Sequence, residues 1–116
     1  MNPGSAPRSS LVTGGSSGIG AAVNALLASL DTLDVLVNCA GSIRRGGAEH
    51  DPEVIAEVLD INLTGTMRVC AAARRKLAAR RGCIVNTASM LSYFGGGMVP
   101  GYGASKGAWR SSPRAW

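Results

Sequence analysis

The segment Leu11-Val12-Thr13-Gly14-Gly15-Ser16-Ser17-Gly18-Ile19-Gly20 carries an apolar strand through a glycine cluster and straight into a helical pattern. Ile19, Val23, Leu26, Leu27 and Leu30 recur behind it at the spacing of one helix face. A tight turn of this kind obliges strand and helix to pack side by side, the repeating unit of α/β folds. Its glycines also let backbone amides approach a pyrophosphate, whose charge a helix N-terminus favours. Taken alone, the segment reads equally well as an ordinary glycine turn.

The alternation continues along the chain. Asp34 precedes a second strand, Val35-Leu36-Val37, whose unbroken apolar character fits a strand covered on both faces. Ser42 to His50 reads as a loop. Asp51-Pro52-Glu53 predicts a helix start, with an acceptor at the cap, proline in the first turn and then an acid. Val54, Ile55, Val58, Leu59, Leu63 and Met67 give it one apolar stripe. The helix is expected to run to Arg80, disturbed near Asn62-Leu63-Thr64-Gly65, with Gly82 ending it. Cys83 to Thr87 reads as a third strand. A loop through Gly95-Gly96-Gly97 and Pro100 leads to a helix from Tyr102 onward. Three strands alternating with helices predict an α/β domain with a parallel sheet.

Size and composition bound the function. At 116 residues the chain is one domain, near the lower end for an independent core. No apolar stretch approaches the ~18 residues of a membrane span, and Met1 to Arg8 lacks the apolar core of a signal peptide. Three cysteines without metal spacing argue against a disulfide framework or a metal site, so free thiols and a cytoplasmic location are expected. The net charge of +5 concentrates in Arg74, Arg75, Lys76, Arg80 and Arg81, at the end of an Ala-rich helix. Cations there complement the helix dipole. No aromatics interleave with them to stack bases, so nucleic acid is not an expected partner.

The chemistry-bearing residues lie in the second half. Tyr102 and Lys106 share a helix face. A phenol ionises near pH ~10, too high for proton exchange at neutrality; a neighbouring ammonium favours the phenolate and makes it a usable acid or base. Ser89, past the end of the third strand, could hydrogen-bond a substrate carbonyl where charge develops. Asn62 lies inside a helix, where asparagine is a poor choice. Arg44 and Arg45 could pair with a carboxylate or stay solvated. His50, the single histidine, has no triad or metal partners and reads as a loop residue.

In their order, Thr13 to Gly20, Asn38-Cys39-Ala40-Gly41, Asn62, Ser89 and Tyr102-x-x-x-Lys106 resemble the short-chain dehydrogenase/reductase family, from Leu11 to Lys106. The resemblance implies a doubly wound nucleotide-binding fold and a bound NAD or NADP. The cofactor would lie against Gly14, Ser16, Ser17, Gly18, Ile19, Gly20, Asn38, Ala40 and Gly41, with Tyr102 and Lys106 at its nicotinamide end. The implied catalytic set is Tyr102 as proton donor or acceptor, Lys106 as its partner, Ser89 as carbonyl polariser and Asn62 in a water-linked relay. Cys39 replaces the family's usual second asparagine. Ser17, with no basic group beside the phosphate turn, leans toward NAD. The stretches Asn86 to Gly96 and Val99 to Lys106 look most like the sugar-acid branch typified by 2-deoxy-D-gluconate 3-dehydrogenases. The expected function is hydride transfer between a nicotinamide cofactor and a carbonyl or secondary alcohol on a small molecule. The alternative is a catalytically inactive, truncated remnant that at most self-associates through its long helices.

One departure bears on the fold. Seventeen residues separate Gly20 from Asn38, room for one helix and one strand. Family strands 2 and 3 do not fit there, so a Rossmann-like parallel sheet of about three strands is expected, made of family strands 1, 4 and 5 with flanking helices. The first helix must then cross to strand 4. Right-handed crossovers, the rule in about 98% of cases, would crowd every helix onto one face and leave the other bare; a left-handed one would avoid that. Residues 1–9 are expected to be disordered, 10–108 to form the partial dinucleotide-binding domain, and 109–116, with Pro113 and two tryptophans, to be an aberrant tail resembling a frameshift product.

Overall fold

The computed structural model describes residues 7–13 and 25–111. Gly14, Ser16, Ser17, Gly18, Ile19 and Gly20 of the glycine turn, the first part of the helix behind it and tail residues 112–116 lie outside the described residues.

The sheet contains β1 (Ser10–Thr13), β2 (Val35–Asn38) and β3 (Cys83–Asn86), all parallel, in the order β1-β2-β3. Between β1 and β2 runs α1, helical over residues 25–29. Between β2 and β3 lie a short turn (Ala48–His50), α2 (Pro52–Leu59) and α3 (Gly65–Arg80); α4 (Pro100–Ser111) follows β3. The α/β architecture with a three-stranded parallel sheet is as expected, and α4 starts two residues earlier than Tyr102.

Local chemistry explains the helix ends. The Asp51 carboxylate accepts the Glu53 amide at 2.9 Å, with Pro52 at the first helical position. Between α2 and α3 the backbone widens into a π-helical turn, Asp60–Thr64, at the place where Asn62 disturbs the pattern. At the end of α3 it is Arg81, not Gly82, that adopts the left-handed conformation, with φ 51°. Gly82 is needed for proximity instead: a Cβ there would stand 2.6 Å from the Asp34 carbonyl.

The core explains the faces. Leu11, Leu27, Leu33, Leu36, Cys70, Ala73 and Leu77 form one buried cluster, so α1 and α3 cover the same side of the sheet. On the other side Val12 is 59% and Val85 50% exposed. Two crossovers of the same hand, advancing in one direction through β1, β2 and β3, place both helices on one face, and the usual hand satisfies this. The expectation that β2 is covered on both faces is therefore corrected: Leu36 and Asn38 are buried, whereas Val35 and Val37 are only half-buried.

The edge opposite the site is tied by Asp34. Its carboxylate accepts the Ser9 amide at 2.8 Å and pairs with Arg80 at 3.1 Å. The Ser9 bond, then Arg80, hold it below the usual carboxylate range against the opposing effect of burial. Ser9, inside the segment expected to be disordered, is thus fixed. Lys76 donates to the Leu30 carbonyl, so part of the basic cluster serves packing.

Candidate active site

The site lies at the C-terminal edge of the sheet, where Thr13, Asn38 and Asn86 stand in register. The Thr13 hydroxyl accepts the amides of Cys39 and Ala40 at 3.2 and 3.3 Å, pinning the chain as it leaves β2. Asn38 donates to Asn86 at 2.8 Å and to the Cys70 sulfur at 3.4 Å. Burial pushes the Cys70 thiol up, and that last contact opposes the rise.

Asn62, 1% exposed, clamps the next segment. Its Oδ1 accepts the Ser42 amide at 2.6 Å, and its Nδ2 donates to the Ser42 carbonyl at 2.8 Å and the Ser105 hydroxyl at 3.1 Å. The π-helical turn aims this side chain inward, toward both α4 and the loop after β2. A Cβ on Gly41 would stand 3.5 Å from Asn62 Oδ1 and 3.7 Å from Lys106 Nζ, so both flank the bare Gly41 backbone.

Lys106 sits on α4 at 4% exposure and donates to the Thr87 carbonyl at 3.0 Å. Its Nζ is 5.6 Å from the centroid of the Tyr102 ring, the geometry of a cation–π contact. Burial pushes its ammonium below the usual lysine range, while Cys39 draws it back up. Among the described residues one of the three ammonium protons is engaged, which leaves two donors for other oxygens.

Tyr102 and Ser89 line one cleft of about 490 Å³ with Ile43, Arg45, Gly46, Leu91, Met98 and Val99. Ser89 Oγ accepts the Leu91 amide at 3.2 Å, and Ser92 Oγ accepts the Ser89 amide at 3.2 Å while donating to the Lys106 carbonyl at 2.9 Å. The Ser89 hydroxyl proton has no acceptor among the described residues. Arg44 turns away, to Ser42 at 2.7 Å and Glu57 at 3.6 Å, whereas Arg45 faces the cleft without an ion pair among the described residues. His50 lies close to the carbonyls of Gly47 and Gly97, at 3.1 and 2.8 Å, and joins the loops on either side.

Asn62, Ser89, Tyr102, Lys106, Asn38, Ala40 and Gly41 are therefore gathered at one edge, while the glycine turn is not described. Sequence reasoning missed Glu49, Ser42, Ser105 and Thr87. Glu49 has the largest claim: it is fully buried and accepts the amides of Arg44 and Tyr102 at 2.8 and 2.6 Å. A weak signal existed, because α4 begins Val99-Pro100-Gly101 with no capping side chain of its own. Among the described residues no cluster of three or more His, Cys, Asp or Glu could hold a metal, and no helix is long and apolar enough to cross a membrane.

Residues 21–115 match the short chain dehydrogenase family model. The chain is 44% identical over 78 residues to 2-dehydro-3-deoxy-D-gluconate 5-dehydrogenase of Pseudoalteromonas atlantica, a match covering 66% of this chain and 31% of that protein. To the Escherichia coli protein of the same name it is 39% identical over 92 residues, covering 77% of this chain and 36% of that one. Among solved structures, a gluconate 5-dehydrogenase from Burkholderia cenocepacia in complex with NADP and tartrate superposes with a TM-score of 0.68 at 32% identity, covering 79% of this chain and 38% of that one. The chain spans about a third of the length of the curated relatives it matches.

Proposed function

We propose that this chain, which belongs to the short-chain dehydrogenase family, carries the proton-transfer and carbonyl-binding residues of an NAD(P)-dependent oxidoreductase acting on a sugar acid. The placement of Tyr102 and Ser89 in one cleft, with the Lys106 ammonium held over the Tyr102 ring, carries the reading.

The residues present fit the nicotinamide end of the cofactor. Two donors on a nearly buried ammonium, without acceptors among the described residues, match the two hydroxyls of a ribose, and the bare Gly41 backbone leaves room for a close approach. Lys106, Gly41 and Ala40 would hold that half, while the phosphates fall to the glycine turn. The bound nicotinamide would supply or accept the hydride. The Ser89 hydroxyl donates to the substrate oxygen, and the Tyr102 phenol delivers the proton to that same oxygen in reduction or removes it in oxidation. The Lys106 charge favours the phenolate left behind. Both Asn62 amide protons are engaged and its Oδ1 already accepts the Ser42 amide, so it contributes by fixing Ser42 and Ser105, with one Oδ1 lone pair left for a water.

Arg45 supports the substrate class. An arginine lining the cleft with no ion pair among the described residues suits a carboxylate, in keeping with the sugar acids in the relatives' names. For the cofactor, Ser17 and its lean toward NAD lie outside the described residues. A solved relative carries NADP, so NADP(H) is the form to test first, beside NAD(H). A cytoplasmic location, read from the free cysteines, belongs to the same proposal.

The test is D-gluconate oxidation with each cofactor, followed by nicotinamide absorbance. Tyr102→Phe should abolish turnover with an unchanged circular dichroism spectrum; equal turnover would remove Tyr102 from the mechanism. Arg45→Met should raise the KM for gluconate about 10- to 150-fold, as loss of a charged hydrogen bond of ~1.5–3 kcal/mol implies, and leave neutral polyols unaffected.

A further inference from the structure

We infer that Glu49 is a positioning residue for Tyr102: its carboxylate clamps the first turn of α4 to the loop that carries Ile43 and Arg45, and so sets where the phenol stands in the cleft. The inference rests on the proposed role of Tyr102.

Gly46 and Gly47, with φ of 70° and 81°, turn the loop back on itself and drive Glu49 inward from the Ala48–His50 turn. The side chain ends fully buried, and among the described residues no basic group pairs with it. A carboxylate in that setting must be satisfied by hydrogen bonds. Oε2 takes the Arg44 amide at 2.8 Å and Oε1 the Tyr102 amide at 2.6 Å. The latter is one of the orphan donors of a helix start. Pro100 has no N–H, the Gly103 amide already bonds the Val99 carbonyl, and α4 has no acid in its own first turn. Glu49, from across the site, supplies the missing negative charge. Gly101 makes the approach possible, because a Cβ there would stand 3.0 Å from Oε1.

Both partners are donors, so only a carboxylate can serve both. A glutamine accepts through one oxygen and turns an amino group toward the other N–H; an aspartate is one methylene too short to span them. The loop lining one side of the cleft and the helix lining the other are therefore joined at the backbone of the proton donor.

The experiment compares wild type, Glu49→Gln and Gly101→Ala in NADP-dependent gluconate oxidation, together with hydrogen exchange of the 15N-labelled Tyr102 amide. Gly101→Ala keeps the charge and favours the helix, but crowds Oε1 and the neighbouring Ile55 backbone, so it probes the contact should Glu49→Gln not fold. Either variant should lower kcat about tenfold or more, the scale of a misplaced catalytic group, with the cofactor KM within about twofold. The Tyr102 amide should exchange at least tenfold faster. Unchanged kcat in a folded variant overturns the inference, as does an unaltered Tyr102 amide. A merely structural role would lower the folded fraction and leave kcat per folded molecule intact. No turnover in wild type sinks the functional reading itself and the positioning role with it.

Discussion

Burying an ammonium forfeits solvation, and Lys106 does so for one bond to the Thr87 carbonyl and a contact with the Tyr102 ring. Its proton is bound more weakly in the folded chain than at the reference value of 10.5, so folding releases protons. The sign of the linkage follows. The penalty is fully present below the lowered folded pKa, and stability rises with pH from there up to 10.5. Lys106→Met should raise the unfolding midpoint at neutral pH and flatten that rise; a lower midpoint would show that the ammonium stabilises the fold. Such residues were legible through their order along the chain and not singly: a lysine four positions from a tyrosine or a serine past a strand end is ordinary, and only the asparagine inside a helix departs from local preference. Glu49 itself was not legible: the uncapped start of α4 asks only for some acceptor, and its partners are backbone amides, one of them 53 residues away, which no side-chain pattern encodes.

Among the elements, helix starts were more readable than helix stops. Asp51-Pro52-Glu53 specifies a start through side-chain chemistry, and the structure has that cap. At the other end of α3 a glycine follows the last basic residues, and the usual inference makes it the left-handed terminator. Here Arg81 takes that conformation one residue early, since Gly82 is needed where Leu33, Asp34 and Leu77 leave no room for a Cβ. Steric demand in three dimensions displaced the conformational one. Opposite effects follow for adjacent substitutions. Arg81→Gly relieves a left-handed backbone that costs an L-residue about 1–2 kcal/mol, less the entropy a glycine loses on folding, for a net gain of up to about 1 kcal/mol. Gly82→Ala must displace backbone and should cost about 1–3 kcal/mol or more. Urea titration of the two variants checks both signs, and a destabilised Arg81→Gly would mean the arginine side chain matters more than its backbone.

At the scale of the whole molecule, the short link between β1 and β2 decides what the strands face. The apolar runs Leu11-Val12 and Val35-Leu36-Val37 carry no mark of which side will be covered, and local reading assigns both faces to the second. Coverage is set by the hand and direction of the crossovers, a property of the connected topology. With both steps advancing the same way, α1 and α3 share a face and valines line the other. The sheet should therefore respond asymmetrically. Leu36, with no exposed surface, packs within the cluster of Leu11, Leu27, Cys70 and Ala73. Its truncation to alanine loses transfer energy and leaves a cavity, about 2–5 kcal/mol in comparable cores. A domain of this size has only about 5–15 kcal/mol in hand, so Leu36→Ala takes a large share of it. Val85 lies on the adjacent strand beside the partner of Leu36 but points to the bare side, half exposed. Val85→Thr keeps the β-branch that favours a strand and removes little buried surface, so its effect should stay within about 0.5 kcal/mol. Chemical denaturation of the two single variants measures the contrast. A Val85→Thr cost approaching that of Leu36→Ala would mean that the second face is covered in solution, and that the one-sided packing is wrong.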